Sequence, residues 1–169
     1  MITSTERGTG ESISVGMAEI GIAFGPNDVL IARGVGSCVI VCAWDPKTGV
    51  GAMAHVVQPR DPAATVTGNV RYADQAVPVL LEQLQTAGAE RRRLVIKLAG
   101  GASLLQQTRR NGEEPLGTQN VRAVEAALLR YALVARGSSV GGTFGRTVTL
   151  ELATGRLRVR TLGQGETVI

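Results

Sequence analysis

Two apolar segments separated by a short turn dominate the hydrophobic pattern in the first third of the chain. Residues 38–45 and 50–57 carry apolar side chains on both alternating faces. The segment between them, Pro46-Lys47-Thr48-Gly49, contains the proline and the glycine that favour a turn. The pattern therefore predicts a β-hairpin. Because both of its faces are apolar, we expect the hairpin in the middle of a layered fold.

Apolar residues recur at helical spacing in two later segments. One helix is expected from a cap at Asn69 to about Ala87, and a second over residues 121–132 with Asn120 at its cap position. Short apolar runs predict strands at residues 13–22, 29–32, 94–98 and 133–136, and a last hairpin that turns at 153–155. This order predicts an α+β fold, a layered sandwich of mixed β-sheets flanked by helices.

The length of 169 residues fits one domain, and 44% apolar residues are enough to form a core. We expect a flexible N-terminal tail over residues 1–12, a single domain over 13–162 and a C-terminal tail over 163–169. The uncharged run 34–44 has 11 residues. It is about half as long as the ~20 residues that cross a bilayer, so no membrane insertion is expected.

The net charge of +4 comes from an excess of arginine, clustered at 91–93, at 109–110 and at alternating positions 156, 158 and 160. No aromatic residues are interleaved with these clusters, and no helix-turn-helix or zinc-finger spacing appears. We therefore expect no nucleic-acid partner. The clusters are interpreted as solvated faces, one of them suited to an acidic partner.

Two cysteines, Cys38 and Cys42, lie four residues apart. On one strand their Cα atoms would be about 13 Å apart, which is too far for a disulfide. We therefore expect free thiols and a reducing, cytoplasmic location, and no secretory signal precedes them.

His55 is the only histidine of the chain, and it lies on the returning strand of the predicted hairpin. With a four-residue turn, Asp45 opposes Val50 and Cys38 opposes Val57. His55 then shares a face with Cys38 in the diagonal position, where Cβ atoms are about 7–8 Å apart. A turn one residue longer or shorter would move His55 to the other face. This register predicts a thiol–imidazole pair.

Such a pair is what a cysteine hydrolase needs, because the imidazole accepts the thiol proton and the thiolate attacks a carbonyl carbon. A neighbouring charged imidazole lowers the pKa of a thiol, so we expect a lowered pKa at Cys38. Backbone N–H groups around Gly36 and Ser37 would serve the oxyanion. Cys42 lies deeper in the strand and is predicted to belong to the core.

Three other interpretations stay open on the residues alone. His55 could be a buried histidine with satisfied hydrogen bonds, which is the more frequent case. Cys38, Cys42 and His55 could bind a metal, although they lack the paired spacing of structural zinc sites. The glycine pairs at 100–101 and 141–142 could hold a phosphate, but neither is followed by the residues of a phosphate loop, and turn geometry accounts for both.

Several segments together resemble the chemoreceptor glutamine deamidase family, CheD. The resemblance runs from about Ser14 to Arg160 and rests on four segments in the family's order: residues 36–55 (GSCVIVCAWDPKTGVGAMAH), 71–78 (RYADQAVP), 97–102 (KLAGGA) and 141–147 (GGTFGRT).

The resemblance implies an enzyme that converts glutamine side chains on the cytoplasmic helices of chemotaxis receptors to glutamate and releases ammonia. It implies a layered fold related to cysteine deamidase toxins, Cys38 as nucleophile, His55 as general base, and no cofactor or metal. It also implies a CheC-type phosphatase as a partner. Family members usually carry, six residues before the nucleophile, a threonine that orients the imidazole, and this chain has Ala32 there. Either a backbone carbonyl orients the ring instead, or the activity is reduced.

Ala32 keeps a second hypothesis open. The chain could be a non-catalytic module that binds the receptor or the phosphatase and whose activity is weakened by the missing hydroxyl. Two further departures from the family are Gly117-Thr118-Gln119-Asn120, where Gly-Glu-Arg-Asn is usual, and Gln58, where an apolar residue is common.

Overall fold

The computed structural model describes residues 2–4, 10–63, 68–103 and 114–169. In order along the chain, its helices and strands are β1 (Ile2–Ser4), β2 (Ser12–Ser14), β3 (Ile20–Ala23), β4 (Val29–Val35), β5 (Val39–Trp44), β6 (Gly51–Val56), α1 (Ala73–Thr86), β7 (Val95–Gly100), α2 (Leu116–Leu129), β8 (Ala135–Val140), β9 (Arg146–Glu151), β10 (Arg156–Thr161) and β11 (Gly165–Val168), with one 3₁₀ turn at Arg91–Arg93.

Two mixed sheets and a helical layer make up the fold. The first sheet has the strand order β1-β3-β6-β5-β7-β8, and the second has the order β11-β10-β9-β4-β2. Both helices pack on the same face of the first sheet, and the second sheet covers the other face. The predicted layered sandwich of mixed sheets is confirmed. Its helices all lie on one side.

The hairpin β5–β6 occupies the centre of the first sheet, as its two apolar faces predicted. Val39, Val41 and Ala43 face the helices, whereas Ile40 and Cys42 face the second sheet. Strand β10 shows the opposite pattern. It alternates buried and exposed residues because only one of its faces is covered, so its arginines lie on the open side.

The expected caps of both helices are wrong. Helix α1 follows Tyr72, and helix α2 follows Pro115. The Asn69 side chain instead accepts a hydrogen bond from the Arg71 N–H, and Asn120 lies inside α2, fully buried. Asparagine is a frequent cap because of its local hydrogen bonding, but here distant backbone groups take up the Asn120 side chain.

Short strands lie near both ends of the chain. Ile2–Ser4 pairs with β3, and Ser12 begins a strand that pairs with β4, while residues 1 and 5–9 lie outside the described part. Gly165–Val168 pairs with β10 as an edge strand. The exposed residues of this last strand gave no apolar pattern from which a strand could be predicted. The tails over 1–12 and 163–169 and the single domain over 13–162 stay predictions. No helix in the described ranges has the length and apolar character needed to cross a membrane.

A buried carboxylate fixes the turn end of the central hairpin. Asp45 is fully buried and accepts hydrogen bonds from the N–H groups of Lys47 and Glu90, both at 3.0 Å. The guanidinium of Arg93 binds the same carboxylate through Nε at 2.9 Å and Nη2 at 2.6 Å. The arginine cluster at 91–93 was interpreted as a solvated face. For Arg93 this is wrong, because its guanidinium is bound to a buried carboxylate. Arg109 and Arg110 lie outside the described residues.

Candidate active site

The open end of the central hairpin brings Cys38 and His55 to one face. In the ladder of β5 and β6, Ile40 opposes His55 and Val39 opposes Val56, so the next pair is Cys38 and Val57. This is the predicted register. Since directly opposed side chains share a face, the imidazole projects to the side of Ile40 and Cys38, towards the second sheet.

His55 is buried and held in one orientation. His55 is only 1% exposed, and its Nδ1 lies 3.4 Å from the carbonyl oxygen of Val15. A carbonyl can only accept, so the proton of the neutral ring is on Nδ1 and Nε2 carries a lone pair. Nε2 is buried and has no hydrogen-bond partner among the described residues. The basic nitrogen is therefore unoccupied.

A short loop between β2 and β3 supplies the Val15 carbonyl. The loop is closed by the Glu19 carboxylate, which accepts a 2.8 Å hydrogen bond from the Gly16 N–H. Its backbone also holds the backbone of His55, since the Ala18 N–H donates to the His55 carbonyl and the His55 N–H donates to the Glu19 carbonyl, both at 3.0 Å. The role of this loop could not be predicted from the sequence, because any residue type can supply a backbone acceptor.

Cys38 lies at the rim of the same face and is 8% exposed. Burial raises the pKa of its thiol, and two smaller effects, a hydrogen bond from its own backbone N–H and the positive charge of Arg71, lower it. Burial also lowers the pKa of His55. Both shifts favour the neutral forms of the thiol and the imidazole, whereas a lowered thiol pKa was expected. Burial outweighs the nearby charge. The two side chains share a face, but the structure shows no hydrogen bond between His55 Nε2 and the thiol.

Three consecutive carbonyls before and at the thiol are all used as acceptors. Gly36 accepts from the Ala102 N–H at 2.8 Å, Ser37 from the side-chain amide of Asn120 at 2.9 Å, and Cys38 from the Gly101 N–H at 2.7 Å. In a trans peptide the C=O of one residue and the N–H of the next point in opposite directions. The N–H groups of Ser37 and Cys38 therefore point away from these anchors, and no carbonyl of a described residue accepts from them.

Two glycines, Gly100 and Gly117, allow the backbone segments around Cys38 to pack closely. Gly100 has a φ of +113°, and a Cβ there would lie 2.2 Å from the Cys38 carbonyl oxygen. A Cβ on Gly117, in the first turn of α2, would lie 2.4 Å from the Gly101 carbonyl oxygen. Arg146 adds a 2.6 Å hydrogen bond from Nη1 to the Gly100 carbonyl. Other backbone segments thus pack closely against the glycine pair at 100–101. The residues next to the pair in sequence gave no indication of this packing.

Comparison with known proteins gives the family. The model of a family described as CheD, chemotactic sensory transduction, matches residues 58–161. A Symbiobacterium thermophilum protein named probable chemoreceptor glutamine deamidase CheD is 40% identical over 155 residues, which cover 90% of this chain and 94% of that protein. This chain belongs to the CheD family. A Thermotoga maritima protein named chemoreceptor glutamine deamidase CheD is 39% identical over 152 residues, covering 90% of this chain and 93% of that protein.

The hairpin with Cys38 and His55 precedes the part matched by the CheD family model but lies inside the pairwise matches. A Desulfitobacterium hafniense relative with the name probable chemoreceptor glutamine deamidase CheD is 38% identical over 157 residues, which cover 93% of this chain and 98% of that protein. Since so little of the chain lies outside such a match, residues 38–55 fall within it.

Ala32, where the family resemblance implies a threonine, is fully buried in β4 opposite Val148. It belongs to the same core cluster as Cys38, so the position faces the layer where the imidazole lies. Its methyl group offers no hydrogen bond. The ring is held by the Val15 carbonyl, a backbone acceptor of the kind named in the sequence analysis.

Cys42 is a core residue, as predicted. It opposes Met53 in the ladder and is 1% exposed, and burial raises the pKa of its thiol. Both cysteines are free. Within the described ranges, no group of three or more His, Cys, Asp or Glu side chains has the arrangement of a metal site.

Proposed function

We propose that this chain is a protein-glutamine deamidase that acts on the cytoplasmic helices of chemotaxis receptors. The observation that carries the proposal is the hairpin register. It puts the thiol of Cys38 and the unoccupied Nε2 of His55 on one buried face, in a chain whose relatives are named chemoreceptor glutamine deamidases. Glutamine deamidation needs a nucleophile, a base and an oxyanion site.

In the proposed first step, Nε2 of His55 takes the thiol proton while the sulfur of Cys38 bonds to the carboxamide carbon of the glutamine. Because burial raises the pKa of the thiol and lowers that of the imidazole, the proposed proton transfer accompanies attack and no ion pair forms beforehand. The tetrahedral adduct carries its negative charge on oxygen. The N–H groups of Ser37 and Cys38, in the loop that begins at Gly36, are the proposed donors to that oxygen.

Collapse of the adduct breaks the carbon–nitrogen bond. The imidazolium gives its proton to the departing nitrogen, ammonia leaves, and a thioester joins Cys38 to the substrate. Water then attacks the thioester with His55 again as base, which restores the thiol and leaves glutamate. The net reaction consumes one water and releases one ammonia for each glutamine.

The location and partners of the protein follow from the same proposal. A reaction that depends on a free thiol, on the cytoplasmic part of a receptor, belongs in the reducing cytoplasm. A CheC-type phosphatase is the second proposed partner, implied by the family resemblance alone.

The proposal is tested by incubating a receptor cytoplasmic fragment from the same organism with the purified chain and measuring the fragment by mass spectrometry. We expect the mass increase of Gln-to-Glu conversion with the wild type and with Cys42→Ala, and none with Cys38→Ala. Cys42 is the matched control because it is the other buried thiol and belongs to the same core cluster. Absence of conversion with every receptor of that organism would favour the non-catalytic binding module.

A further inference from the structure

Asn120 connects the segment just before β5, which carries the thiol, to the residue just after β6, which carries the imidazole. Its side chain projects from α2 and is fully buried. Nδ2 donates one hydrogen bond to the Ser37 carbonyl at 2.9 Å and the other to the Val57 carbonyl at 3.0 Å. Ser37 directly precedes Cys38, and Val57 lies two residues beyond His55. One amide group thus joins both sides of the open end.

The amide of Asn120 carries two costs to stability and one gain. Asparagine is a poor residue for a helix interior. The Oδ1 atom of Asn120 is buried and has no hydrogen-bond partner among the described residues, which destabilises the folded state. An apolar side chain of the same size would avoid both costs, but it would leave the Ser37 and Val57 carbonyls without this donor. The contribution of Asn120 therefore lies in its two N–H donors to the Ser37 and Val57 carbonyls.

The bond to Ser37 fixes the orientation of one particular peptide. With the Ser37 carbonyl held towards α2, the N–H of Cys38 must point the opposite way. The same N–H lowers the pKa of the thiol of its own residue, so it acts on the side of the reactive sulfur. We infer that Asn120 is a positioning residue, which aims the Cys38 N–H at the oxyanion of the tetrahedral adduct. The inference rests on the proposed function.

Two reactions of Cys38 separate this role from a merely structural one. Deamidation passes through an oxyanion, whereas alkylation by iodoacetamide displaces iodide at a saturated carbon and needs no oxyanion donor. We expect Asn120→Leu, which keeps the size of the side chain, and Asn120→Ala to lower kcat for deamidation of the receptor fragment about 100-fold, the effect typical of losing one such donor. The alkylation rate of Cys38 should change less than about threefold.

Asp45→Asn is the matched control, since it weakens a buried hydrogen-bonding group at the other end of the hairpin. All variants are assayed below their unfolding temperatures, with tandem mass spectrometry to distinguish Cys38 from Cys42. The control should leave both rates unchanged. Asn120 variants that keep kcat would overturn the inference. So would an equal fall of both rates, which would mean that Asn120 holds the thiol or the fold. A wild type without deamidation would instead defeat the proposed function.

Discussion

The two ends of the central hairpin are built in opposite ways. At the turn end, the buried carboxylate of Asp45 has an ion pair with Arg93 and two backbone donors, and its pKa is held well below the usual range, chiefly by the Arg93 hydrogen bond. At the open end, Cys38 and His55 are buried without any ion pair among the described residues, and burial shifts both pKa values towards the neutral forms.

The difference shows how one strand pair serves stability and chemistry at once. A charge that is fully paired locks the turn and contributes to the free energy of folding. A neutral base with an unoccupied nitrogen contributes little to stability, but it is free to accept a proton. Hydrogen bonds at the open end hold the backbone before Cys38 and Nδ1 of His55, and they leave Nε2 of His55 without a partner among the described residues. The following predictions test this division from the largest expected effect to the smallest.

Replacing the base should have the largest effect. We expect His55→Ala to lower kcat for deamidation about 1,000-fold, because general-base catalysis contributes about 10²–10⁴-fold. Met53→Leu is the control, since Met53 lies on the same face of β6 and belongs to the core between the sheets. Steady-state deamidation rates measure both variants. A His55→Ala enzyme with near wild-type kcat would show that another group is the base.

Breaking the turn end should affect stability alone. Asp45→Asn loses the charged partner of Arg93, and we expect the free energy of unfolding to fall by about 1–3 kcal/mol. Urea denaturation measures the change. Arg92→Gln is the control, because Arg92 is exposed and its pair with Glu90 should contribute little. A loss of deamidation activity in folded Asp45→Asn would contradict the separation of the two ends.

The two ends should respond to acid in different pH windows. The pKa of Asp45 is lower in the folded state, so its stabilisation is complete above the ordinary carboxyl pKa of about 4 and is lost as the pH falls further. The pKa of His55 is also lower in the folded state, so stability is lost earlier, as the pH falls below about 6.5.

Urea denaturation at a series of pH values separates these contributions. His55→Gln should flatten the stability profile of the wild type between about pH 5 and 7, and Asp45→Asn should flatten it below about pH 4. A profile for His55→Gln that still follows the wild type through the higher window would mean that the histidine is not buried in its neutral form.

Restoring the usual CheD threonine should have the smallest effect. In Ala32→Thr, the hydroxyl would face the same layer as the imidazole, but Nδ1 already donates to the Val15 carbonyl. We expect kcat to change less than about threefold, which corresponds to less than about 0.7 kcal/mol. Deamidation assays on the variant give the answer. A rise of tenfold or more would show that the carbonyl is a poor substitute for the hydroxyl.

The parts that sequence could predict are those fixed by local rules. The hairpin register follows from a four-residue turn and from apolar residues on both faces, and it places Cys38 and His55 correctly on one face. The parts that were missed depend on distant backbone groups. Asn120 looked like a cap because its two acceptors lie 83 and 63 residues away, and the acceptor for Nδ1 of His55 is a carbonyl 40 residues away. The thiol of Cys38 is buried by packing against the second sheet. The direction of its pKa shift therefore could not be predicted from the sequence either.

The most direct test is the alkylation rate of Cys38 by iodoacetamide as a function of pH, in the wild type and in His55→Ala. The account predicts a wild-type midpoint above the ordinary thiol value of about 8.5, because burial keeps the thiol protonated until the base acts on it. A midpoint well below that value, which rises when His55 is removed, would show a preformed thiolate–imidazolium pair and contradict a neutral open end.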